Sequence, residues 1–180
     1  MSLLVAKIGS SSVTHADGTV NSVAIDKLCA EVAALRASGH RVVIVTSGAI
    51  AAGMPPLGLG PARPNKRELL RAAAAVGQIR LFRSFEEALA GHGLLGGQVL
   101  LAPTDLMERH RYLGSRETLS ALLDLGVVPI VNENDAIADD EIRFGDNDRL
   151  SALVANLVDA DSLVLLTDTP GVFTADPRIV

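Results

Sequence analysis

The stretch VVPIVNENDAIADDEIRFGDNDRL, residues 127–150, decides the fold. It opens on the apolar run Val127-Val128-Pro129-Ile130-Val131 and stops in Asn132-Glu133-Asn134-Asp135. A run this short and apolar, bounded by turn-forming residues, reads as a strand buried on both faces. Gly145-Asp146-Asn147-Asp148 then opens an apolar-periodic segment, which predicts a helix over 148–158 with Asp146 as its cap. A strand that ends in several polar side chains holds them at an edge. Such a density of hydrogen-bonding groups suits a small polar ligand better than a packing surface.

Working outward, the same alternation repeats. Leu3–Ile8 reads as a strand, and Asn21-Ser22 caps a helix whose inner face is Ile25, Leu28, Val32 and Leu35. Gly39 is its stop, and Arg41–Thr46 is a β-branched strand. Met54–Asn65, rich in Pro and Gly, reads as an exposed loop. Lys66–Ala90 is helical with a break expected near Gly77. A strand over Gln98–Ala102, a helix over Ser115–Asp124 and a fifth strand over Leu163–Thr167 complete the pattern. Alternating β and α units predict an α/β fold, a mostly parallel sheet with helices on both faces. Its ligands gather beyond the carboxyl ends of the strands.

The composition narrows the function. With 180 residues, 48% of them apolar, the chain can bury a core as one domain, residues 1–180. The net charge of −5 and the lack of a basic stripe exclude nucleic acid as the expected partner. No run is long and apolar enough to predict a membrane span, and MSLLVAKIG reads as a strand, not a leader. The single cysteine, Cys29, lies in an apolar helical stretch and reads as a buried thiol in a reducing, cytoplasmic setting. His15, His40, His92 and His110 lack metal-ligand spacing, and no protein-held metal site is expected.

The strand ends carry the polar residues. Lys7 stands in an otherwise apolar strand just before the turn Gly9-Ser10-Ser11-Ser12. Turn N–H groups with a lysine can cradle a phosphate; the plainer reading is a solvated lysine beside an ordinary turn. Ser47-Gly48 resembles a ligand-binding βα turn without a Walker sequence, or else Ser47 is a helix cap. Asp135 and Asn147 can read an amino or carboxylate group, or merely form turns and caps. Asp148 can pair with Lys7 across the edge, or sit favourably in a first helical turn. Thr167-Asp168 closes the last strand. No Ser-His-Asp arrangement is present.

Taken together, VAKIGSS (5–11), VIVTSGAIAAG (43–53), AAVGQ (74–78), VPIVNENDAIA (128–138), FGDNDRLSALVA (144–155) and LLTDTPGVFTADPR (165–178) resemble the amino acid kinase family. VTSGAIAAG and NEND followed by GDND point to its glutamate-phosphorylating branch. The resemblance implies transfer of phosphate from ATP, with Mg²⁺, to the side-chain carboxylate of L-glutamate. It assigns Lys7, Gly9 and Ser10 to the ATP phosphates, Ser47, Asp135 and Asn147 to glutamate, Asp148 to orienting the catalytic lysine, and Thr167 and Asp168 to the nucleotide. It also implies a homo-oligomer and feedback inhibition by proline.

One departure stands out. The family uses a second lysine in a Gly-rich segment beyond the block at 165–178, whereas the lysines here are Lys7, Lys27 and Lys66. Residues 1–180 are therefore expected to be the amino-acid-binding portion of a longer kinase domain. Two alternatives stay open: a kinase of the same fold acting on another carboxylate or phosphate, and a non-catalytic amino-acid-binding module.

Overall fold

A computed structural model describes residues 1–60, 62–137 and 147–167. Its centre is a five-stranded sheet of β1 (Leu3–Ile8), β2 (Arg41–Val45), β3 (Gly96–Leu101), β4 (Val128–Glu133) and β5 (Ser162–Leu166). The order is β3-β4-β2-β1-β5, and every neighbouring pair is parallel. The carboxyl ends of all five strands therefore share one edge. Pro129 cannot donate to a ladder, and β4 tolerates it because pairing with β2 involves only Ile130 and Val131.

The core has two layers, as a run apolar on both faces requires. Val42 and Ile44 of β2 pack with α2 (Ser22–Ala37) and α4 (Arg67–Gly91). Val43 and Val45, pointing the other way, pack with α6 (Arg109–Asp124) and α7 (Asn147–Leu157). Short helices α1 (Ser10–Val13), α3 (Ala49–Gly53) and α5 (Pro103–Met107) connect these parts. This is the expected α/β sandwich.

Two local expectations hold, the cap at Asn21 and the burial of Cys29. The Asn21 side chain accepts from Ala24 N at 3.2 Å and caps α2. Cys29 is fully buried, and burial followed by the nearby Asp26 charge pushes its thiol up to about 12. Among the described residues no group of His, Cys, Asp and Glu could hold a metal ion. No described helix is long and apolar enough to cross a membrane.

Others need correction. α4 runs unbroken through Gly77 from Arg67 to Gly91. A Cβ on Gly77 would stand 1.8 Å from Ala49 O, and one on Gly53 would stand 1.8 Å from Ala73 O. The glycines let the backbones of α3 and α4 touch; neither breaks a helix. Met54–Asn65 is not wholly exposed, since Met54 is buried and Pro55–Leu57 forms a 3₁₀ turn. α6 begins earlier than expected, at Arg109. Its first turn is exposed and polar, so no apolar period marks it. Arg111 instead ties it back, meeting Asp105 and Glu108 at 3.1 Å each.

Candidate active site

The site forms where the carboxyl ends of β1, β2 and β4 meet the start of α7. Lys7 lies on β1, and its side chain is only 12% exposed, so it is not a solvated strand-end lysine. Its Nζ meets Asp148 Oδ1 at 2.5 Å. Asp148 is in the first turn of α7, whose buried face of Leu150, Val154 and Leu157 docks the helix on the sheet. The expected pairing across the edge is thus present. Gly9, directly after β1, leaves one side of this ammonium open. A Cβ there would sit 3.7 Å from Lys7 Nζ and 3.9 Å from Ser11 Oγ. Ser10 is exposed at the same turn.

Ser47 is half-buried in the turn between β2 and α3. It does not cap α3: Gly48 holds that position, and no side chain caps the helix. Gly48 is required there by its backbone, with φ +99, and by Val13 Cγ2, which a Cβ would meet at 3.0 Å. The turn after β2 and the turn after β1 are thereby pressed together.

Asn147 is tied to the sheet. Its Nδ2 donates to Thr46 O at 2.5 Å and to Asn132 Oδ1 at 2.9 Å. Asn132 Oδ1 also accepts from Glu133 N at 2.9 Å, and Asn132 Nδ2 donates to Gln78 Oε1 at 2.8 Å. Asn132 and Gln78 are buried. The chain of amides joins β2, β4, α4 and α7, and holds Asn147 in one orientation.

Asp135 follows β4 and lines a cavity of about 250 Å³ with Gln78, Glu133, Asn134 and the small residues Ala49 and Ala74. That volume lies just below the range of about 300–1,000 Å³ usual for ligand clefts and suits a small molecule. Thr167 is exposed just after β5. Asp168 and Asp146 lie outside the described residues.

The structure thus gathers Lys7, Gly9, Ser10, Ser47, Asn147 and Asp148 at one end of the sheet, with Asp135 on the cavity wall. Asn132 and Gln78 also belong to this network, although no motif or spacing singles them out. The only available signals were their polarity within apolar or small-residue surroundings, Val131-Asn132 and Gly77-Gln78.

A parallel αβα sheet with a lysine, a glycine turn and a carboxylate at its carboxyl edge is an arrangement that could hold a phosphate. The amino acid kinase family matches residues 2–180, and the chain belongs to that family. Within it, the chain is 54% identical over 175 residues to glutamate 5-kinase of Azoarcus sp. (strain BH72). It is 55% identical over 175 residues to glutamate 5-kinases of Burkholderia mallei (strain SAVP1) and Burkholderia pseudomallei (strain K96243). These matches cover 97% of this chain and 47% of each relative, so the chain spans about half the relatives' length. A solved product complex of T. acidophilum isopentenyl phosphate kinase shares the fold, with TM-score 0.65 and 18% identity over 98% of this chain and 74% of that one.

Proposed function

We propose that residues 1–180 are the amino-acid-binding portion of a glutamate 5-kinase, which transfers the γ-phosphoryl group of ATP to the side-chain carboxylate of L-glutamate. The product would be L-glutamyl 5-phosphate, the first step towards proline. The observation that carries this reading is the Lys7–Asp148 pair beside the open face of Gly9. The half-length similarity to glutamate 5-kinases supports it.

The chemistry is consistent with the residues. A glutamate side chain is ionised at neutral pH, so the attacking oxygen needs no general base. That oxygen forms a bond to the γ-phosphorus while the bond to the β-phosphate oxygen breaks, and ADP leaves. Such a transfer demands alignment and neutralisation of spreading negative charge. Lys7 supplies the positive charge, and Asp148 keeps its ammonium at the strand end. Gly9 and Ser10 border the space an ATP phosphate would occupy, and Thr167 with Asp168 would contact the nucleotide. Asn147 has both amide protons committed, so its Oδ1 remains to accept from the α-ammonium, together with Asp135. Ser47 completes the glutamate set. Mg²⁺ would accompany ATP, which needs only one or two carboxylates from a protein; no described cluster forms a metal cage. A cytoplasmic homo-oligomer inhibited by proline belongs to the same proposal.

A second reading has one observation in its favour. Lys27 and Lys66 are exposed on α2 and before α4. Lys7 is thus the only described lysine at the site, and residues 1–180 by themselves would bind the amino acid without turning it over. The deciding experiment is ADP release by the full-length protein with Mg²⁺ and ATP. L-glutamate, N-acetylglutamate and a nucleoside monophosphate are offered in turn. Release with glutamate alone supports the proposal, and release with either other acceptor and not glutamate rejects it.

A further inference from the structure

We propose that Gln78 donates its side-chain N–H groups to the α-carboxylate of the bound amino acid, and so selects for it. The inference deepens the glutamate reading above and rests on it. The Thr46 carbonyl can only accept hydrogen bonds. Asn147 must therefore turn its Nδ2 towards Thr46 O, and the same nitrogen reaches Asn132 Oδ1. Asn132 Oδ1 is held as an acceptor a second time by Glu133 N. Its Nδ2 then has to face Gln78, whose Oε1 accepts at 2.8 Å. Each amide fixes the next, so none of the three can flip without opposing two like groups.

The result is a polarised chain with unlike ends. At one end stands the acceptor Asn147 Oδ1. At the other stands Gln78 Nε2, which has no acceptor among the described residues. Gln78 is 7% exposed, and the cavity it lines also holds Asp135. An amide nitrogen at the cavity wall, with its own oxygen committed to Asn132, is free to donate to an acceptor that a ligand brings there. Glu133 and Asp135, when ionised, offer acceptors alone and would repel a carboxylate. An α-amino acid presents the matching pair, an ammonium that needs acceptors and a carboxylate that needs donors. Gln78 is the pre-oriented donor, because α4 is pinned against α3 one residue earlier, at Gly77.

The test compares L-glutamate with its α-amide, which keeps the side-chain carboxylate but not the α-carboxylate. Wild type, Gln78→Glu and Gln78→Met are assayed as full-length protein. Gln78→Glu keeps the acceptor for Asn132 and replaces the donor with an acceptor. It should raise KM for glutamate at least about tenfold, leave kcat and KM for ATP within about twofold, and cut the preference for glutamate over the α-amide by a similar tenfold. Gln78→Met should also reduce that preference, and a ratio of the two substrates is insensitive to any loss of folded protein. Unchanged preference in both variants, or KM values for both substrates rising by the same factor, would overturn the assignment. No glutamate turnover by wild type would overturn the parent reading as well. Turnover with unchanged preference removes the Gln78 role alone.

Discussion

At the scale of single residues, the proposed function separates charge handling from substrate recognition. Lys7→Met should lower kcat by about 10²–10³ while glutamate still binds, since one positioned charge stabiliser is typically worth that much. Steady-state turnover alongside calorimetric titration checks both halves, and a variant with near wild-type kcat refutes the role. Lys7→Arg should fail too, because a planar fork does not fill the place of a compact ammonium. Asp135→Ala and Asn147→Ala should each weaken glutamate binding by about 1–3 kcal/mol, as unpaired charged groups do; unchanged affinity in both would remove them from the substrate site. Away from the site, Cys29 should resist alkylation in the folded protein at pH 8 and react once unfolded. Its pKa is raised from 9.0 to about 12. A raised thiol pKa stabilises the fold fully below the unfolded value, and the contribution fades as pH climbs from about 9 towards 12. Denaturant titrations over that range would show the decline against a Cys29→Ala control.

At the scale of elements, the α3–α4 crossing is the decisive piece of packing. A helical Gly→Ala change normally stabilises by up to about 1 kcal/mol. At Gly77 the sign should reverse, because the added methyl would stand 1.8 Å from Ala49 O. Helices forced apart in a packed core cost about 1–3 kcal/mol or more. The melting temperature of Gly77→Ala should fall, and it should bind glutamate less well because Gln78 moves with the helix. An equal or higher melting temperature would show that the crossing tolerates a Cβ. The Arg111 contacts to Asp105 and Glu108 are a weaker matter, since exposed pairs contribute about 0–1 kcal/mol each.

At the scale of the whole molecule, β5 is the open flank. Leu163, Val164, Leu165 and Leu166 are 37–45% exposed at an end of the sheet. An apolar edge strand invites association, and the relatives are about twice as long as the stretch matched here. Residues 1–180 produced alone should therefore self-associate as concentration rises, seen by sedimentation. Their glutamate-dependent ADP release should be at least about a hundredfold slower than that of the full-length protein. Full turnover by the shorter chain, abolished by Lys7→Met, would refute the expectation that further machinery is needed.

The architecture was legible in the residues because periodicity is local. Apolar runs such as Val42–Val45 and Val127–Val131, set between helical stretches, determined a two-layered parallel sheet and placed Lys7, Ser47 and Asp135 at its edge. Strand direction and charge left Asp148 two readings, a partner for Lys7 or a first-turn carboxylate, and the docking of α7 brings it to Lys7. Gly77 was misread, because a glycine that breaks a helix and one that admits a neighbouring backbone have the same local surroundings. The first turn of α6 was hidden for a related reason: its charges carry no apolar period. The amide chain lay further still from local pattern. Gln78 and Asn132 are 54 positions apart, and Asn147 and Thr46 are 101 apart. Only the order β3-β4-β2-β1-β5, the docking of α7 and the contact of α3 with α4 bring them within hydrogen-bond reach. Hydrogen bonds act over about 3 Å, so tertiary packing alone decided which of the polar residues became a connected site.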